Sequence, residues 1–131
     1  QLAVIRAMVK QLELPVQIVP MPIVREPSGL ALSSRNERLN AAQKQVAVNI
    51  SKTLFESKEW MQSQTVKEVI DKVTNQLNSH EELDVEYYEI VDGDSLQSVN
   101  NWQESDYIVG CIAVFCGDVR LIDNIVYKAK A

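Results

Sequence analysis

The segment Ser-Ser-Arg-Asn at residues 33–36 gathers side chains that can hold an anion. Ser33 and Ser34 supply hydroxyl donors, and Arg35 supplies a permanent positive charge that can grip two phosphate oxygens at once. Groups of this kind can hold a polyphosphate and stabilise the charge that builds as pyrophosphate leaves. The segment therefore indicates a phosphate-binding loop. A polar linker whose arginine forms a surface ion pair remains an alternative interpretation.

Other patterns that carry chemistry are weak in this sequence. The single histidine, His80, precedes an acidic stretch and is better explained as a solvated loop residue than as a metal ligand. Cys111 and Cys116 lie in one apolar stretch, and at five residues apart in an extended chain their side chains would point to opposite faces. We expect reduced thiols and no metal site, and reduced thiols favour a cytoplasmic location.

Composition and charge exclude several classes of partner. The 131 residues carry 13 basic and 18 acidic side chains, for a net charge of −5, so the basic footprint of a nucleic-acid-binding protein is missing. Apolar residues make up 46%, an ordinary value for a globular protein. The longest apolar run is far shorter than the roughly 20 residues that cross a bilayer. We therefore expect neither a nucleic-acid nor a membrane partner.

The elements that follow the 33–36 segment predict an α+β fold. Two capping boxes, at residues 40–43 and 65–68, predict helices over 41–58 and 65–78. Alternating apolar residues then predict an antiparallel sheet of three strands. The predicted strands are residues 85–91, 107–115 and 119–127. Two helices packed on one face of this small sheet would form the domain.

The first 23 residues have a different pattern. Apolar residues from Leu2 to Leu12 recur at helical spacing, Pro15 ends the helix, and residues 16–20 predict a short strand. A helix followed directly by an apolar strand is half of a βαβ unit. We interpret residues 1–23 as the last helix and strand of a truncated α/β domain. The alternative is a helix that packs locally onto the domain that follows.

Three segments resemble the pantothenate synthetase (pantoate–β-alanine ligase) family. Residues 25–36, Arg-Glu-Pro-Ser-Gly-Leu-Ala-Leu-Ser-Ser-Arg-Asn, resemble a long motif of that family. Residues 1–6 resemble the helix that begins just after its substrate-contacting glutamines, and residues 117–124 resemble its C-terminal hairpin. The three matches occur in the family's order and cover nearly the whole chain.

The resemblance implies an activity and a domain organisation. Enzymes of this family use ATP, accompanied by Mg²⁺, to convert pantoate to pantoyl adenylate, and the amine of β-alanine then attacks the adenylate. They have a nucleotide-binding N-terminal α/β domain, through which they are commonly homodimers, and a C-terminal lid domain. The resemblance assigns residues 1–23 to the first domain and residues 24–131 to the lid, with a phosphate-binding loop at 25–36.

The resemblance also implies roles for six residues. It implies that Arg35 is catalytic, that Gln1 binds pantoate, and that ATP is bound by Val24, Leu32, Ser33, Ser34 and Arg35. No metal ligand is assigned. The family's remaining nucleotide and β-alanine contacts match nothing here, so we expect the isolated chain to be inactive. Because the apolar side of its first helix would have lost its sheet, we also expect the chain to self-associate or to have residues 1–20 rearranged or disordered. The alternative is a self-standing α+β interaction domain without catalytic activity.

Overall fold

A computed structural model describes residues 1–130 of the chain. The elements in chain order are α1 (Leu2–Gln11), a 3-10 helix (Ser34–Arg38), α2 (Ala41–Trp60), α3 (Val66–Asn78), β1 (Leu83–Asp92), β2 (Ile108–Cys116) and β3 (Val119–Lys128). The predicted α+β fold is confirmed, and every element predicted after residue 40 agrees within two residues at each end. None of the helices in the described range is long and apolar enough to cross a membrane.

Both predicted capping boxes form, and they fix where the two long helices begin. The side chain of Asn40 accepts from the backbone N–H of Gln43, whose side chain accepts from the N–H of Asn40 in return. Thr65 and Glu68 make the same reciprocal pair at the start of α3. These bonds satisfy backbone donors that an uncapped helix leaves without partners.

The three strands form one antiparallel sheet with β2 in the centre. Residues of α2 and α3 cover one face of this sheet and close the hydrophobic core. An irregularity between Val85 and Tyr87 shifts the register of β1 against β2. After this shift the side chains of Tyr88 and Ile90 are buried in the core. Strand β3 is one of the two edge strands of the sheet and pairs with β2 along its length.

Three hydroxyl groups meet inside the core. The Ser57 and Tyr127 hydroxyls lie 2.7 Å apart, and the Tyr127 hydroxyl also bonds that of Tyr88. Burial raises the pKa of both tyrosines, so both remain neutral hydroxyls. Gly110 leaves room for the cluster, because a Cβ there would lie 2.5 Å from the Tyr88 oxygen.

The N-terminal segment agrees only partly with the expectation. Helix α1 forms as predicted, but none of its residues is buried, and Val4 and Leu12 are each 62% exposed. The strand predicted at residues 16–20 is wrong, since the chain there pairs with no strand in the described residues. A strand needs a neighbour for its backbone groups, and Pro20 within this segment has no N–H to donate to one.

Gly110→Ala tests the packing around the hydroxyl cluster. The added methyl group would collide with Tyr88, and we expect it to lower the free energy of unfolding by about 1–3 kcal/mol. Urea unfolding measures this loss. Asn124→Ala, at an exposed position of β3, is the control and should change stability by less than about 0.5 kcal/mol. Equal stability of the two variants would contradict the close approach.

Asp92 predicts a pH dependence of stability. Hydrogen bonds from Ser105 and then from Ser95 lower the pKa of its carboxyl group from 3.8 to about 2. The ionised form is favoured in the folded state, so its stabilisation is present above pH 3.8 and is lost as pH falls toward 2. We expect the stability gap between the wild type and Asp92→Asn to shrink over that interval in urea titrations. A stability gap that does not change with pH would contradict this.

Candidate functional site

The segment expected to be a loop is a small folded hairpin. The N–H of Glu26 donates to the carbonyl of Leu30, and the N–H of Leu32 donates to the carbonyl of Val24. Residues 27–29 form the turn of this hairpin, and Gly29 adopts a φ of 96° that other residues rarely tolerate. Backbone hydrogen bonds within residues 24–32 therefore hold this segment in a defined conformation. The alternative interpretation as a polar linker did not predict this.

Asn36 joins this hairpin to the 3-10 helix. Its side-chain nitrogen donates to the Glu26 carboxylate at 3.1 Å and to the Ala31 carbonyl at 3.0 Å. The residue is only 3% exposed, and its side-chain oxygen has no donor within residues 1–130. From the sequence, this amide was grouped with the anion-binding side chains. The structure makes it an internal brace of the loop.

Arg25 fastens the base of the hairpin to β3. Its two terminal nitrogens donate to the two carboxylate oxygens of Asp123 at 2.7 and 2.9 Å, and Nη1 also donates to the Gly29 carbonyl at 3.1 Å. The guanidinium lies over the ring of Phe55, 5.0 Å from its centroid. Phe55, on α2, is itself 50% exposed.

This ion pair beside the cleft is a feature that the sequence analysis missed. Arg25 and Asp123 are 98 positions apart in the sequence. The type of a residue does not indicate which distant residue it will pair with. The available signal was that both lie within segments that resemble the same family, at 25–36 and 117–124.

A cleft of about 260 Å³ lies between the folded loop and the edge of β3. Leu32, Ser33 and Arg35 line it from the loop, and residues 120–123 line it from the strand. Ser33 caps the 3-10 helix, with its hydroxyl oxygen accepting from the N–H of Arg35 at 3.1 Å. The hydroxyl hydrogen of Ser33 remains able to donate to an anion.

The arginines around this cleft differ in how they are paired. Arg25 is neutralised by Asp123 at 2.7 Å, and Arg120 is neutralised by Glu86 at 2.7 Å. The hydrogen bond to Glu86 raises the pKa of the Arg120 guanidinium. Arg35 instead donates to the Arg120 carbonyl at 3.2 Å and, within residues 1–130, pairs with no carboxylate. Its charge is therefore available to an anion in the cleft.

The structure brings only some of the predicted site residues together. Ser34 is exposed at the start of the 3-10 helix and does not line the cleft. Val24 is beside the cleft, with its carbonyl bonded to the N–H of Leu32 at 2.9 Å. Gln1 is the N-cap of α1 and is not among the residues that line the cleft. Within residues 1–130, no group of three or more His, Cys, Asp or Glu side chains could hold a metal ion.

Asn36→Ala should loosen the folded loop. It leaves the Glu26 carboxylate and the Ala31 carbonyl without their donor, which costs about 1–3 kcal/mol. We expect trypsin to cut after Arg35 and Arg38 faster than in the wild type. Ser28→Ala removes only a 3.4 Å bond at the exposed turn and is the matched control. Equal cleavage rates in all three proteins would show that Asn36 does not brace the loop.

Comparisons with known proteins place this geometry in one family. The family model for pantoate-beta-alanine ligase matches residues 1–126. The pantothenate synthetase of Bacteroides fragilis strain YCH46 is 54% identical over 128 residues, which cover 98% of this chain and 45% of that protein. The pantothenate synthetase of Bacteroides thetaiotaomicron is 55% identical with the same coverage. The chain thus spans less than half the length of the curated relatives it matches.

Two solved structures indicate the same family. A crystal structure of pantothenate synthetase from Thermus thermophilus matches with a TM-score of 0.86 and 32% identity, covering 98% of this chain and 46% of that one. A pantoate-beta-alanine ligase from Francisella tularensis, complexed with beta-gamma ATP and beta-alanine, matches with a TM-score of 0.64 and 28% identity, covering 99% and 41%. The chain therefore belongs to the pantoate–β-alanine ligase family.

Proposed function

We propose that this chain carries the phosphate-binding part of an ATP-dependent pantoate–β-alanine ligase. In the proposed reaction a pantoate carboxylate oxygen attacks the α-phosphorus of ATP, and pyrophosphate leaves. The amine of β-alanine then attacks the acyl carbon of pantoyl adenylate, and AMP leaves. Family membership supports this reaction class over a self-standing interaction domain.

The observation that carries the proposal is the pairing of the arginines. Arg35 lines the cleft without a carboxylate partner in the described residues, while Arg25 and Arg120 are each held by one. A guanidinium in this position can bind two oxygens of the ATP polyphosphate. Its charge acts most strongly when pyrophosphate departs, because negative charge grows there in the transition state.

Other residues have lesser parts in this proposal. The Ser33 hydroxyl donates to a phosphate oxygen from within the cleft, and Ser34 donates from its exposed position at the rim. Leu32 and the backbone of Val24 contact the nucleoside, and Gln1 binds pantoate. Mg²⁺ enters on the phosphates of ATP.

The domain assignment is part of the same proposal. Residues 1–23 belong with the nucleotide-binding domain of the ligase, and residues 24–131 form its lid. The exposed apolar side chains of α1, such as Val4 and Leu12, support a surface that another domain or another copy covers. We propose a homodimeric cytoplasmic enzyme, whereas the isolated chain should self-associate, bind ATP weakly and form no pantothenate.

Arg35→Ala should slow adenylate formation much more than it weakens pantoate binding. Removing one charge-stabilising group costs on the order of 3 kcal/mol in the transition state, or about a hundredfold in rate. The measurement is ATP–pyrophosphate exchange in the presence of pantoate, using the protein encoded by the complete reading frame.

Arg38→Ala is the matched control for this experiment. Arg38 is an exposed arginine of the same 3-10 helix and does not line the cleft. Its variant should keep exchange within about twofold of the wild type, a change below about 0.5 kcal/mol. Wild-type exchange in Arg35→Ala, or an equal loss in both variants, would remove Arg35 from the proposed site.

A further inference from the structure

We infer that Arg25 and Asp123 form a positioning pair that holds Arg35 at the cleft before the nucleotide binds. This inference rests on the proposed function. It attributes part of the rate of adenylate formation to a contact that does not touch the phosphates. Neither residue of the pair would touch the substrate. They would act by fixing the loop that carries Arg35.

Burial and several hydrogen bonds hold the side chains of Arg25 and Asp123 in place. The Asp123 side chain is 3% exposed and the Arg25 side chain 18%. Both carboxylate oxygens are bonded to the guanidinium, and Oδ1 also accepts from the N–H of Asn124 at 2.7 Å. The Gly29 carbonyl and the ring of Phe55 hold the guanidinium from two other directions. A bidentate pair with these supports fixes orientation as well as position.

The folded loop is attached to β3 at both of its ends. Arg25, at its beginning, bonds the side chain of Asp123, and Arg35, near its end, bonds the carbonyl of Arg120. These attachment points are three residues apart on one strand. Asn36 ties the two ends together through its bond to Glu26. Releasing Arg25 therefore removes the attachment of one end of the loop to β3, and among the described residues the 3.2 Å bond of Arg35 is then the side-chain hydrogen bond that joins the loop to this strand.

Loss of the pair should reduce catalysis by disordering Arg35. A charged group stabilises a transition state best when it is already in place, because no reorganisation is then needed during the reaction. Arg25→Lys keeps the positive charge but has no planar fork for the two oxygens of Asp123. The variant thus separates the effect of geometry from the effect of charge.

The experiment is a double-mutant cycle on ATP–pyrophosphate exchange. The protein encoded by the complete reading frame is compared with Arg25→Lys, Asp123→Asn, Arg35→Ala and the double variant Arg25→Lys with Arg35→Ala. Circular dichroism verifies that each variant is folded. Lys67→Ala is the control, since it breaks an exposed ion pair with Asp71 on α3, remote from the loop in sequence and absent from the cleft lining.

We expect Arg25→Lys to lower kcat/KM for ATP by about 10- to 100-fold, with the KM for pantoate unchanged. In the Arg35→Ala background the same substitution should cost less than about twofold, because the residue being positioned is gone. Trypsin should also cut faster after Arg35 in Arg25→Lys than in Lys67→Ala.

Three results would overturn the inference. Losses that multiply in the double variant would show that Arg25 acts independently of Arg35. Wild-type exchange in both Arg25→Lys and Asp123→Asn would show that the pair does not position the loop. That result would not contradict the proposed function. Absence of exchange in the wild-type protein itself would overturn the proposed function and the positioning role with it.

Discussion

The bidentate bond between Arg25 and Asp123 is the contact on which the cleft depends. It joins a hairpin near the beginning of the chain to the edge strand β3 near its end, across 98 positions. Burying two charges is costly unless their geometry and their other bonds are nearly complete. Here the Gly29 carbonyl, the Asn124 N–H and the Phe55 ring complete them. With Arg25 and Arg120 each paired to a carboxylate, Arg35 is the arginine of the cleft lining that has no such partner among residues 1–130.

The rest of the fold gives this contact a fixed base. Strand β3 cannot shift without disturbing β2, and the buried hydroxyls of Ser57, Tyr88 and Tyr127 join β1, β3 and α2 inside the core. Helix α2 also limits the hairpin directly, since a side chain added at Gly29 would lie 3.1 Å from the Ser51 hydroxyl. The side chains proposed to bind phosphate are exposed, while Leu30 and Asn36 on either side of them are buried.

The features that could be predicted from the sequence depend on interactions between residues close together in the chain. The capping boxes at Asn40 and Thr65 involve residues three positions apart, so both helices could be placed within two residues. Leu32, Ser33 and Arg35 could be grouped because they are neighbours in the chain, and they do share one cleft. The strand at 16–20 could not be judged locally, because strand formation depends on a partner. The buried roles of Arg25 and Asn36 depend on tertiary contacts, which composition does not reveal.

The most direct test of the account is to locate a polyphosphate on the chain residue by residue. Inorganic pyrophosphate titrated into the isotope-labelled 131-residue chain should shift the backbone amide NMR signals of residues 32–36 and 120–123. Weak binding suffices for this measurement, and the shifts should disappear in Arg35→Ala. Shifts concentrated on α3 or on the connection between β1 and β2, or shifts that persist without Arg35, would contradict the assignment of the cleft as the phosphate site.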